Sequence, residues 1–590
     1  MIGTSISINL CSNKRPDTAI LLKEPWHKVK EVLVEDSVNI AFSYHDSYVV
    51  SSWCVGDVVF VLEGGIFNLS SQDIRNRLGR VAELVEKEDI QKEISSFVKQ
   101  ADGDYLVTIY NTRQKRLVVF NDLMGGMAVN YAYSNKALYI SRSLAYVAIN
   151  GGYKQISRNN LCEFVMYGHN IGNHTFFEDV KKLTPGSCIT AEILENELIV
   201  GVFEVVKPNF SLDKPFRSKK EAVQVLSELF LDSCKRRVDY ANQNGYEIVN
   251  TMSGGFDSRT VLGGLEKYVS SYTNLTYQYK QDESEVAKKV LCHVASKSTY
   301  VKLSYENNPH IDDSSLTFET DGKIESYTNS VCYNDLVYGK ENYLKNKRVF
   351  YFGGFGGEFI RHPIKAFIQS PRQWGMFFSP SSKITAGIFN VSSKEVDSSI
   401  SRVLEPYFKD GNEAVSKFFY NEYYQNLVRC SGEERMRLFF YTVQPMMSSS
   451  FLLAIRNRIP LKWAGYRFYY DFLKAIDKRL VEVELYGNSV DIRSRLSLLK
   501  KDIRGNMKLL KYIRFLQRKY TKFEHKHQTD RVEFPLIQSY YDRIEDKTLL
   551  DMNYLKSVYS CIGGPGQLRL LTILEFIYEC EKYHQKSIIE

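Results

Sequence analysis

This chain has no C-x-x-C pair, no histidine cluster at metal-ligand spacing and no stretch of about 18 uninterrupted apolar residues. Its ten cysteines are scattered over 590 residues. That pattern fits reduced thiols and excludes a disulfide framework or a zinc ribbon. No dense basic block accompanies the net charge of +8, so the charge favours anionic ligands only weakly and gives no case for nucleic acid. The N-terminal residues lack a charged head followed by an apolar core, so no secretory signal is expected. Internal repeats and low-complexity tracts are absent as well. A cytoplasmic, soluble protein without a membrane or nucleic-acid partner is the economical expectation.

What is present suits large cores. Apolar residues make up 44% and charged residues 25%, an ordinary globular balance, with 40 Tyr and 34 Phe. The length accommodates two to four domains. Up to about residue 205, short apolar runs alternate with turn residues. The runs 57–62, 105–110, 116–120 and 137–140 predict strands, and 73–86 and 158–167 predict helices. A linker with two prolines, Val205 to Pro215, precedes a long amphipathic helix over 219–240. Strand-like and helix-like segments then alternate to about 360, implying a parallel sheet with helices on both faces. From Lys394 to the end the pattern is mostly helical.

The most informative stretch is Ser253-Gly254-Gly255-Phe256-Asp257-Ser258. It follows the apolar run 246–250 and precedes a helical pattern beginning at Val261. Strand, glycine turn and helix start together form an anion cradle. Two glycines let successive N–H groups aim at one point, and the helix N-terminus adds partial positive charge. Ser253 and Ser258 supply hydroxyl donors, and Asp257 supplies a cation ligand. No Lys-Ser/Thr pair follows the glycines, which excludes a Walker A loop. The string resembles the S-G-G-x-D-S loop of enzymes that split ATP between its α- and β-phosphates.

Further segments extend the resemblance across both halves. Asp102-Gly103-Asp104-Tyr105 followed by Arg116 to Asp122, then Phe164 to Gly168 and Thr175 to Gly186, resemble the N-terminal domain of the asparagine synthetase family. That family includes the β-lactam synthetases and lasso-peptide cyclases. Lys323-Ile324-Glu325-Ser326-Tyr327 and Gly354-Phe355-Gly356-Gly357-Glu358 join the Ser253 loop in the second half. The resemblance implies an α/β protein of two parts. Residues 1–205 would be an N-terminal α+β sandwich of the N-terminal-nucleophile hydrolase type. Residues 206–590 would be a PP-loop ATP pyrophosphatase domain, a parallel sheet with helices on both faces, ending in a helical extension.

Glutamine-using members expose a Cys immediately after the initiator Met; here that position is Ile2, which offers no nucleophile. Their R-G-P-D segment is missing, and the Asn of their N-G-E-I-Y-N segment is replaced by Glu63. The first half is therefore expected to be a retained scaffold without glutaminase activity.

For the second half, the resemblance implies ATP and Mg²⁺ as cofactors. Ser253, Gly254, Gly255, Asp257 and Ser258 would hold the nucleotide, and Asp257 and Glu358 the metal. Glu358 stands where relatives have Asp. Glu325 would be the base or amine-orienting carboxylate. The acids Asp282 to Glu285 are expected to cap a helix, and Arg259 and Arg361 are candidate phosphate contacts. Relatives carry a lysine in the stretch matching Leu480 to Ser489, which has none here; Lys500, Lys501 and Lys508 are the candidate substitutes. In Arg458-Ile459-Pro460-Leu461-Lys462-Trp463 the family's Asp has become Trp463, pointing to an acyl substrate other than aspartate.

Three readings stay open. The first is an amide-forming ligase that joins a small-molecule or peptide carboxylate to an amine. The second is an asparagine synthetase running on ammonia, and the third a non-catalytic nucleotide-binding relic. Oligomeric state is open too, with a homodimer one option.

Overall fold

The computed structural model of the protein describes residues 1–11, 15–84, 86–278, 282–304, 318, 320–322, 327–361, 382–408, 411–423, 430–485, 494–504 and 532–589. Strands dominate its first part: β1 (Thr4–Asn9), β2 (Lys28–Val34), β3 (Val38–Tyr44), β4 (Val50–Val55), β5 (Val58–Ile66), β6 (Gly103–Asn111), β7 (Arg116–Asn121), β8 (Asn130–Tyr133), β9 (Ala137–Ser141), β10 (Lys181–Lys182), β11 (Ser187–Leu194) and β12 (Glu197–Glu204). They build two six-stranded antiparallel sheets, ordered β10-β8-β9-β1-β3-β2 and β12-β11-β7-β6-β5-β4.

Strand alternation decides which faces meet. Leu106 and Tyr110 of β6, with Leu117 and Val119 of β7, pack between the sheets against Ile6, Ile8, Ile40 and Phe42. Their neighbours Val107, Ile109, Val118 and Phe120 belong to the outer core, with Leu78 of α1 (Ser71–Glu83) and Ile94 and Phe97 of α2 (Lys87–Gln100). On the opposite side α3 (Leu144–Gly151) packs on β8 and β9, followed by α4 (Arg158–Tyr167). The result is a four-layer helix–sheet–sheet–helix arrangement, the fold class the resemblance implies.

The second part begins with α5 (Lys219–Gln243), capped by the Ser218 hydroxyl, which accepts from the Glu221 N–H at 3.2 Å. Ala222, Leu226, Phe230, Cys234, Val238 and Ala241 recur at helical spacing and are all buried. Each large member of such a stripe contributes about 1.5–3 kcal/mol. A five-stranded parallel sheet follows from β13 (Glu247–Thr251), β14 (Thr273–Gln278), β15 (Thr299–Ser304), β16 (Val349–Phe352) and β17 (Tyr441–Val443), in the order β15-β14-β13-β16-β17. Helices α6 (Phe256–Tyr268) and α7 (Ser284–His293) connect its first strands. β16 is buried along its whole length, as a strand covered on both faces must be.

Beyond Lys394 the described residues are mostly helical, as expected, and β17 interrupts the helices. Three residues between the helices Cys430–Arg437 and Ser449–Arg458 are too few to leave a period-2 pattern. Helices make up most of the rest, ending in Gly563–Ile589. Among the described residues, no helix is long and apolar enough to cross a membrane.

The first part grips the approach to β17 through two histidines. Nε2 of His27 donates to the Leu438 carbonyl and Nε2 of His45 to the Arg437 carbonyl, each at 2.8 Å, and the rings stack at 5.9 Å. Their Nδ1 atoms accept backbone N–H groups from Lys23, Glu24 and Ser47, so neither ring has room for a second proton. Burial lowers the His27 pKa from 6.5 to about 4 and depresses His45 as well. The unfolded chain therefore binds more protons than the native one between these values, and stability falls as pH drops through this window. His27 alone should account for on the order of 3 kcal/mol once pH reaches 4. Urea midpoints at pH 7 and pH 4.5 should differ more in the native chain than in His27→Gln. Equal differences would rule out the buried neutral imidazole.

Candidate functional site

β13 pairs with β14 on one side and β16 on the other, so strand order reverses there. Connections leaving a parallel sheet at such a point diverge and open a crevice at the carboxyl ends of the strands. Two glycine-rich turns fill its rim, Ser253 to Ser258 after β13 and Gly353 to Glu358 after β16. They are pressed together. A Cβ on Gly354 would lie 2.9 Å from the Asp257 backbone, and one on Gly357 would lie 2.0 Å from Oδ1 of Asp257. Only glycine allows this approach.

Within the first turn the serines hold the loop. Oγ of Ser258 accepts from the Ser253 N–H at 3.1 Å and pairs with Oγ of Ser253 at 2.9 Å, while the Gly255 N–H donates to Oγ of Ser253 at 3.2 Å. Helix α6 starts at Phe256 with Gly255 as its cap residue and no side-chain cap. The Gly254 N–H donates to Oε2 of Glu283 at 2.6 Å. A carboxylate oxygen thus sits on an amide of the anion cradle.

Asp257, in the first turn of α6, is held from both sides. Its Oδ1 accepts from the Tyr469 hydroxyl at 2.7 Å and its Oδ2 from Nη2 of Arg361 at 2.6 Å. The same Nη2 donates to Oε1 of Glu358, so one guanidinium joins the two carboxylates. Burial alone would lower the Arg361 pKa, but Asp257 and Glu358 outweigh it and hold the group firmly charged. Burial and the adjacent Asp257 push the Tyr469 phenol up.

The structure thus brings Ser253, Gly254, Gly255, Asp257, Ser258 and Glu358 to one crevice. Glu325 and Lys323 lie outside the described residues, as do Lys508 and the side chains of Lys500 and Lys501. Arg259 is not a phosphate contact. It is fully buried and its guanidinium donates to the carbonyls of Gly254, Leu480, Val483 and Glu484 at 2.5–3.1 Å, tying the loop to the 480–485 segment. The acids before α7 divide: Asp282 accepts from the Ser284 N–H at 2.9 Å, as a capping residue should, whereas Glu283 crosses to the loop. Glu283 and Tyr469 were not visible as site residues. The run of glycines around Phe355 was the one signal that another side chain, here Asp257, comes close.

In the first part, charge is packed around Glu63, the residue that the resemblance aligns with a lost asparagine. Glu63, wholly buried, accepts from the Thr4 N–H at 2.7 Å, the Tyr48 hydroxyl at 2.5 Å and Nη1 of Arg142 at 2.5 Å. Arg142 continues to Glu434, and Arg437 links Glu434 at 2.8 Å to Glu433 at 2.9 Å and Asp104 at 3.3 Å. Asp102 pairs with Arg236 and Arg237 at 3.0 and 3.1 Å. Burial opposes the Asp102 charge, but the two arginines outweigh it and hold the carboxyl below its usual range. The apolar side chain of Ile2 is buried in the hydrophobic cluster that also holds Tyr48.

Residues 54–199 match the family model described as glutamine amidotransferase domain. No curated protein matches the chain. Among solved structures it is similar to the glutamine phosphoribosylpyrophosphate amidotransferase from B. subtilis complexed with ADP and GMP, at 7% identity over 61% of this chain and 77% of that one, with a TM-score of 0.22. A second, described as the allosteric regulatory enzyme of purine biosynthesis, is similar at 8% identity over 42% of this chain and 54% of that one, with a TM-score of 0.19.

Proposed function

We propose, with the glutamine amidotransferase domain of residues 54–199 as premise, that the chain is an ATP-dependent, amide-forming ligase whose own glutaminase step is lost. The observation that carries this is the meeting of the Ser253–Ser258 and Gly353–Glu358 turns at the switch point of the parallel sheet. A substrate carboxylate oxygen attacks the α-phosphorus of ATP, and the α–β phosphoanhydride bond breaks. Pyrophosphate leaves and an acyl-adenylate remains. An amine then attacks the acyl carbon, loses a proton and expels AMP. The amides of the Ser253 turn and the N-terminus of α6 would orient the departing pyrophosphate.

Asp257 and Glu358 already share a cation, the Arg361 guanidinium, so this donor pair suits a positive charge. Mg²⁺ held by the two would neutralise charge on the phosphates. Without a nucleophile at position 2, and with Glu63 and Arg142 in the pocket, the amine comes from ammonia, a second substrate or the acyl substrate itself.

The nucleotide-binding relic is a second reading, favoured by Glu283 on the Gly254 amide and by the absence of lysine from Leu480 to Leu485. ATP–pyrophosphate exchange separates the two, run with Mg²⁺ across a panel of carboxylic acids that includes aspartate. A ligase exchanges label only with its proper acid and loses exchange in Asp257→Ala. Dependence on aspartate would identify an asparagine synthetase. ATP binding without exchange under any acid favours the relic.

A further inference from the structure

We propose that two of the protein's own charges, Glu283 and Arg361, occupy the phosphate and cation positions of the resting site, so that ATP and a divalent cation enter it only together. This rests on the Ser253 turn being a nucleotide cradle. The Glu283 oxygen lies 2.6 Å from the Gly254 nitrogen, the short distance of a charge-assisted bond, ahead of a 13-residue helix. A phosphate oxygen binds a glycine turn in the same way. Glu283 occupies the cap position of α7 yet makes no cap bond with its side chain. Its neighbour Asp282 does that work and pairs with Lys302 at 2.8 Å, which leaves Glu283 to cross to the loop.

Arg361 supplies the complementary half. Its Nη2 joins Asp257 to Glu358, while its Nε is buried and makes no hydrogen bond among the described residues. Release of the carboxylates would free the guanidinium for an anion, and Nε is a donor with no partner among the described residues.

Charge then dictates the order of entry. ATP alone brings its phosphates against Asp257, Glu283 and Glu358, while Arg361 is already engaged by two of these carboxylates and Arg259 by backbone carbonyls. Like charges brought this close in a partly buried site repel. A divalent cation alone must displace Arg361, whose charge then loses Asp257 and Glu358 together. When both enter, the cation takes the two carboxylates, a phosphate oxygen takes the Gly254 amide, and Arg361 turns to the nucleotide. The site changes partners with few charges left unmatched.

The test uses the full chain and binding alone. ATP affinity is measured by calorimetry in EDTA and in MnCl₂, and Mn²⁺ affinity from the electron paramagnetic resonance signal of the free ion, with and without ATP. In the native chain each ligand should tighten the other by about tenfold or more beyond their association in solution. Glu283→Gln should bind ATP in EDTA about tenfold more tightly than the native chain, and Arg361→Ala should bind Mn²⁺ alone more tightly by a similar factor. Each substitution should weaken the coupling. Glu283→Ala serves as a second variant, and circular dichroism checks that all are folded.

Native Mn²⁺-dependent ATP binding with no gain in either Glu283 variant overturns the proposal and leaves the nucleotide cradle standing. No ATP binding by any form, with or without metal, overturns both.

Discussion

Arg142→Met is expected to lose about 3–5 kcal/mol of folding stability, the usual result of leaving buried charges without a partner. Side chains of Arg142, Glu63 and Glu434 are 0%, 0% and 2% exposed, so no solvent screens them. Methionine roughly fills the volume, and the lost term is therefore mainly electrostatic. Glu63 keeps the Thr4 amide and the Tyr48 hydroxyl, and Glu434 keeps Arg437, which holds the loss within this range. Without the guanidinium between them the two carboxylates repel. The deficit is read from urea midpoints and slopes. Adding Glu63→Gln should recover part of the loss by removing one of the stranded charges. A loss under about 1 kcal/mol would mean the network does not carry charge as described. Neither variant should hydrolyse glutamine, because neither restores a nucleophile.

How much of this was legible depended on sequence distance. The Ser253–Ser258 loop could be read because its chemistry lies in six consecutive residues whose flanks announce a strand and a helix. The helix 158–167 is legible at its observed bounds because Gly168, whose φ of 77° suits a helix stop, follows it directly. Glu63 stood out as a lost asparagine, but the partners that explain it lie 79 residues away at Arg142 and, beyond that, at Glu434. No local pattern reports such a contact. Arg259 and Arg361 looked alike as basic residues beside glycine turns. Burial separates them, because Arg259 is spent on backbone carbonyls while Arg361 bridges two carboxylates. Glu283 looked like a capping acid because its neighbours are acidic, and only the fold shows which of them faces the loop.

Gly357→Ala is expected to weaken ATP binding by about a hundredfold, the effect of about 3 kcal/mol of overpacking. The new methyl carbon would lie 2.0 Å from Oδ1 of Asp257 and 2.5 Å from the Tyr469 hydroxyl. Either the turn retreats or Asp257 swings away, and both break the contact between the two turns. Gly357 is not among the residues with positive φ, so alanine meets no backbone strain and the cost is steric. It also begins a five-residue helix, where alanine is favoured over glycine by up to about 1 kcal/mol. That gain offsets only part of the strain, so global stability should fall by about 2 kcal/mol while the chain stays folded and binding collapses, a pattern that simple misfolding does not give. Gly79→Ala is the control: it lies within α1 with nothing near the added carbon, and should gain up to about 1 kcal/mol of stability with ATP affinity unchanged. Calorimetric titration with ATP and thermal melts of both variants provide the comparison. Native-like ATP affinity in Gly357→Ala would mean that nucleotide binding does not use the meeting of these two turns, and the ligase reading would lose the observation it rests on.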